Sequence, residues 1–178
     1  MPSPAPTETT AVTDRIARSR IQLMLEEPYL ASAIVRYPLI DATSLDWCET
    51  FATDGHNIFY SADFAEALSE PELRFTLAHE VLHNVLGHLD RRGDRDPEPW
   101  NYAIDYATNG ILSDLGFQRP KGTLYAKDYL GKTAEAIYDS FPSRSRKQPN
   151  HKKAPIPEGK QGRSDEHLDP SDPRGAEV

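Results

Sequence analysis

Apolar positions along this chain fall into short periodic blocks separated by proline, glycine and charged runs. Most blocks have helical spacing. Behind a capping Thr13 or Asp14, Ile16, Ala17, Ile21, Met24 and Leu25 predict a helix to about residue 27, and Pro28 stops or kinks it. Residues 29–39 are apolar and mixed, and read equally as the end of a helix or the start of a strand. Residues 47–53 form a β-type run, Asp54-Gly55 is a hairpin signal, and 57–60 is the returning strand. Residues 61–68 predict a short helix or turn. Ser69-Glu70-Pro71-Glu72 reads as a capping box with proline in the first turn, opening a helix from about 70 to 86 that Gly87 ends. Pro97 and Pro99 precede another helix, from about 100 to 115. Lys132-Thr133 opens a last one, with Ala134, Ile137, Tyr138 and Phe141 at helical spacing.

The helix over 70–86 carries the chemistry. Leu73, Phe75, Leu77, Ala78, Val81, Leu82, Val85 and Leu86 make it apolar almost all round, so it should be buried. Yet it contains His79-Glu80-Val81-Leu82-His83. Buried imidazoles and a buried carboxylate need partners, and a metal ion supplies them. Residues four apart share one helix face, so His79 and His83 can offer two nitrogens to one ion. Glu80 reaches the metal-bound water rather than the metal and can act as general base. This His-Glu-x-x-His arrangement is that of zinc peptidases. Zn²⁺ is the default ion for such ligands, with Mn²⁺, Fe²⁺ or Co²⁺ as substitutes.

A catalytic zinc takes a third protein ligand, and two residues compete for the role. His88 lies five residues after His83. On a continuing helix that offset rotates it away from the ligand face, so it returns only if the chain turns sharply at Gly87. Asp105 lies on the next helix, on a polar stripe with Asn101 and Asn109 and with Thr108 beside it, within an otherwise apolar segment. That stripe needs a reason, and it favours Asp105. Asn101 and Asn109 would then orient the ligands by hydrogen bonds. His88, Tyr125 and Tyr129 are candidate donors to an oxyanion. The strand at 58–60 is a candidate for receiving an extended peptide at a sheet edge.

Composition narrows the class without changing this picture. The 178 residues suffice for one domain with a core, and the formal net charge of −8 argues against nucleic acid as main partner. No apolar run approaches the length of a membrane span. The proline- and threonine-rich start has no apolar core of a signal peptide. Cys48 is the single cysteine, so neither an internal disulfide nor a cysteine zinc site is available. The expected location is cytoplasmic. The expected organisation is a disordered 1–13, a domain over 14–141, and a disordered tail or linker over 142–178.

Glu27-Pro28-Tyr29, Ala52-Thr53-Asp54-Gly55, Ile58-Phe59-Tyr60-Ser61, the His79–His83 motif, Trp100-Asn101-Tyr102-Ala103-Ile104-Asp105 and Ala134-Glu135-Ala136-Ile137-Tyr138 occur in this order. Over about 14–141 the set resembles the bacterial and phage putative metallopeptidase domain, often found in front of a von Willebrand factor A-like domain. The segment Asp165-Glu166-His167-Leu168-Asp169 is similar to the linker of the longer members. The resemblance implies an α+β, zincin-like fold: a small mixed β-sheet packed on the metal helix, with a following helix supplying a carboxylate. It implies His79, His83 and Asp105 as ligands of Zn²⁺ and Glu80 as base. The function so indicated is hydrolysis of peptide bonds in a peptide or protein substrate. A non-proteolytic metal-binding interaction module is the alternative.

Overall fold

A computed structural model of the chain describes residues 8–142, with side chains from residue 11. The expected tail, including 165–169, and the first seven residues lie outside the described residues. The fold is a mixed α+β arrangement, mostly helical, with one three-stranded sheet. In chain order the elements are α1 (Glu8–Glu26), α2 (Pro28–Ile34), β1 (Leu39–Asp41), β2 (Phe51–Thr53), β3 (Ile58–Tyr60), α3 (Ala62–Ala67), α4 (Glu70–Val85), α5 (Pro97–Asp114) and α6 (Ala134–Ser140). Short 3₁₀ turns occupy Asp90–Arg92 and Lys127–Tyr129. No helix among the described residues is long and apolar enough to cross a membrane.

The first helix corrects two expectations. It begins at Glu8, which draws 8–13 of the supposedly disordered start into a helix, because Val12 packs in the core one turn before Ile16. Its buried face is Val12, Ile16, Ser19 and Leu23, whereas Ile21 and Leu25 are exposed. The rotation follows from a polar anchor. Ser19 Oγ donates to Glu70 Oε2 at 2.8 Å, and the Arg15 guanidinium holds Glu70 together with the carbonyls of Ala65 and Leu68. Arg15 thereby clamps α1 to the carbonyl end of α3 and the start of α4. The ambiguous segment 29–39 resolves into both readings, α2 after Pro28 and then β1.

The hairpin is present but shorter than expected. Residues 47–50 form turns rather than strand, and Trp47 packs edge-on against Phe59 with ring centroids 5.3 Å apart. Asp54 shapes the turn by accepting from His56 N at 2.8 Å and Asn57 N at 2.6 Å. β2 and β3 are antiparallel, while β1 runs parallel to β3 on its other side. The order β1-β3-β2 puts β3 in the centre. Ile58–Tyr60 therefore has no open edge and cannot add a peptide strand, contrary to expectation. The outer side of β2 packs on α4, where Thr53 Oγ1 donates to Asn84 Oδ1 at 3.0 Å. There Phe51, Ala52 and Thr53 are fully buried.

At the start of α4 the Glu72 carboxylate accepts from Ser69 N at 3.0 Å, the return bond of a capping box, and also from Ser69 Oγ at 2.7 Å. These hydrogen bonds hold Glu72 below its ordinary pKa. One apolar core lies between α1, α2, the sheet and α4. A second lies between α5, α6 and the 124–126 segment. The expected last helix is α6, capped by Thr133, whose Oγ1 accepts from Ala136 N.

The Arg15 clamp gives a pH-dependent prediction. Hydrogen bonding from Arg15, supported by Ser19, holds the Glu70 carboxyl below its usual range. A depressed carboxyl stabilises the fold above its unfolded pKa and loses that contribution as pH falls through its folded value. Because Glu70 is half exposed, Glu70→Gln should cost only about 0.5–1 kcal/mol at neutral pH. The gap to wild type should narrow in acid, as the pH falls through the lowered folded value. Urea unfolding at neutral and acid pH measures it, and a gap that widens in acid contradicts the assignment.

Candidate metal centre

α4 and α5 run antiparallel against each other, and their polar residues meet in between. His79 faces Asn109 and Asp105, His83 faces Asp105, and the backbone at His88 faces Trp100. All are buried: His79 2 %, His83 0 %, Asp105 1 % and Asn109 2 % exposed. Four-residue spacing on each helix produces this match, since His79 and His83 stack along α4 as Asp105 and Asn109 do along α5.

Three potential ligand atoms converge. His79 Nε2 and His83 Nε2 are 2.7 Å apart, and Asp105 Oδ1 lies 3.5 Å from the first and 3.4 Å from the second. Ligand atoms about 2.0–2.1 Å from a tetrahedral zinc stand roughly 3.3 Å from one another. The two spacings to Asp105 match that figure, and the two imidazoles lie somewhat closer. Among the described residues this is the group of three whose ligand atoms could hold a metal ion.

The tautomer of His79 is set by its neighbours. Asn109 Nδ2 donates to the Leu124 carbonyl at 2.9 Å, which leaves its Oδ1 facing His79 Nδ1 at 2.8 Å. His79 must then donate from Nδ1, so Nε2 presents a lone pair to the cluster. Beside it stands the Asp105 carboxylate, so the donor chemistry suits a cation.

Gly87 ends α4 with φ +61°. His88 N bonds His83 O at 3.0 Å and Gly87 N bonds Asn84 O at 3.1 Å, the paired bonds of a Schellman motif. The chain thus makes the sharp turn that would bring His88 back. It delivers His88 to the far side of His83, Nδ1 to Nδ1 at 3.0 Å, and not to the Nε2 cluster. The sequence offset could not show which nitrogen His88 would meet. Asn101, one turn before Asp105, is only partly buried.

A cleft of about 210 Å³ opens onto the cluster. Thr50, Phe64, Phe75, Thr76, His79, Asp105 and Asn109 line it, with Pro120, Lys121, Gly122 and Thr123 at its rim. Glu80 is fully buried and is not among these lining residues. Nor are the expected oxyanion donors. Tyr129 packs against Tyr106, Arg119 covers the Tyr125 ring, and His88 sits behind His83. Lys121 and the threonines were missed as cleft residues because nothing local marks the 120–123 turn as lying across from α4.

Residues 11–177 match the family described as a putative metallopeptidase domain. The chain belongs to this family. The match runs beyond the 14–141 of the sequence resemblance and takes in most of the following segment. No curated protein and no solved structure matches the chain.

For this member of the putative metallopeptidase family, Asn109→Ala should weaken metal binding at the cluster about 10–100-fold by freeing the His79 ring. It should also cost about 1–3 kcal/mol by stranding the Leu124 carbonyl. Chelator competition and urea unfolding measure the two effects. Unchanged metal affinity would show that Asn109 does not orient His79.

Proposed function

We propose that this domain is a zinc-dependent peptidase of zincin type, with His79, His83 and Asp105 as metal ligands and Glu80 as general base. The observation that carries the reading is the convergence of His79 Nε2, His83 Nε2 and Asp105 Oδ1 in a buried site that the cleft reaches. A bound zinc ion supplies Lewis acidity toward a carbonyl and acidifies a water. The chain's residues do the remaining work. Asn109 fixes the His79 ring, and Asp105 sets the charge of the site. Glu80 takes a proton from the attacking water and delivers it to the leaving amine. The substrate enters through the cleft between Thr50, α4 and the 120–123 turn rather than by strand addition on β3, which is central in the sheet.

One observation favours a second reading, a metal-binding interaction module without proteolysis. Glu80 is completely buried and lies outside the cleft lining, where a base would meet substrate. Apo geometry does not disqualify a base, because catalytic contacts tighten on binding. The two readings part at Glu80→Gln.

Elemental analysis after dialysis should find one zinc per wild-type chain, and none in folded His79→Ala or Asp105→Ala. Zinc retained by Asp105→Ala would move the third ligand elsewhere. Glu80→Gln should keep its zinc and lose about 10²–10⁴-fold in peptide turnover. A wild-type protein that holds zinc but cleaves nothing in a peptide library would leave the interaction module.

A further inference from the structure

His83 has two ring nitrogens, and a site that uses Nε2 must also account for Nδ1. A ligating histidine keeps its ring plane and tautomer by donating the other N–H to an acceptor. For His79 the acceptor is the Asn109 amide oxygen. For His83 the atom in that position is Nδ1 of His88, at 3.0 Å, with the two rings 5.1 Å apart at 67°.

The position of His88 is built. The Schellman turn at Gly87 aims it back along α4. Trp100 Nε1 donates to the His88 carbonyl at 2.9 Å and fixes the corner from α5. Arg91 ties the same corner to α6, donating to Leu86 O at 2.8 Å and pairing with both oxygens of Glu135. His88 is itself 2 % exposed, so its ring nitrogen is held against His83 and not offered to solvent.

We infer that His88 is a positioning residue for the metal centre: its Nδ1 accepts the Nδ1–H of His83 when His83 Nε2 is committed to the ion. The inference rests on the metal-site reading above. An imidazole suits the place because it can serve both states of its neighbour. When His83 carries its proton on Nε2, toward the lone pair of His79, its Nδ1 is an acceptor and His88 donates to it. When Nε2 holds the ion, the His83 proton sits on Nδ1, and His88 accepts with its own proton on Nε2. Both rings stay neutral in either state, so the proton count of the pair does not change.

The test compares His88→Asn, whose amide oxygen stands where Nδ1 stood, with His88→Phe, which keeps ring volume and has no acceptor. Zinc affinity by chelator competition should fall about 10–100-fold in His88→Phe and stay within about threefold of wild type in His88→Asn. The visible band of Co²⁺-loaded protein should shift or weaken only in the phenylalanine variant. Ring-nitrogen NMR of the zinc-loaded wild type should place protons on His83 Nδ1 and His88 Nε2, which tests the idea even if His88→Phe fails to fold. Wild-type affinity in a folded His88→Phe overturns the inference alone. Loss of zinc from His88→Asn as complete as from His83→Ala overturns it by making His88 a ligand. A wild type that takes up no zinc overturns it together with the functional reading.

Discussion

Burying two imidazoles and a carboxylate between α4 and α5 is the constraint on which the structure turns. Each such group costs several kcal/mol in an apolar interior without a partner, so the two helices must pack in the one register that supplies partners. That register sets His79 opposite Asn109 and His83 opposite Asp105. It reaches beyond the helix pair. The Asn109 amide is oriented by the Leu124 carbonyl, so the segment that follows the cleft rim is tied to the tautomer of a candidate ligand. The end of α4 is tied in turn through Trp100, Arg91 and Glu135 to α5 and α6.

The outer elements hold this pair in place. Arg15 and Ser19 reach from α1 to Glu70 at the start of α4, and Thr53 reaches from β2 to Asn84 near its end. α4 is thereby anchored at both ends by side chains from two other elements. Its middle, where His79, Glu80 and His83 sit, packs fully buried in a fixed frame. A preorganised site needs this, because a ligand atom displaced by an ångström costs a metal much of its binding.

What was legible in the sequence was local. The His-Glu-x-x-His spacing, the Ser69–Glu72 box, Gly87 as a stop and the polar stripe at Asp105 and Asn109 act within one or two helical turns, and the structure has each where the pattern put it. What failed depended on distant partners. Periodicity ranked Ile21 and Leu25 as core because it weighs side chains by apolarity alone. Ser19 faces inward instead because Glu70, far along the chain, accepts its hydroxyl. The edge assignment of Ile58–Tyr60 failed because β1, only three residues long and set in an ambiguous stretch, pairs on the side taken to be open. His88 fell between the two cases: the turn was legible and its landing point was not.

The buried sheet and the modest cleft together restrict what a hydrolytic reading can mean. Many pockets for drug-sized ligands enclose about 300–1,000 Å³. The cleft here is about 210 Å³. Strand addition on β3 would have supplied main-chain grip along several residues, but β3 is central, and its neighbour β2 is itself buried at Phe51, Ala52 and Thr53. Helix geometry explains the rest. Glu80 stands about 100° around α4 from His79, while Asn84, one turn later, is the residue that meets Thr53 of β2. Glu80 thus lies toward the sheet, and the cleft opens on the His79–Asp105 side.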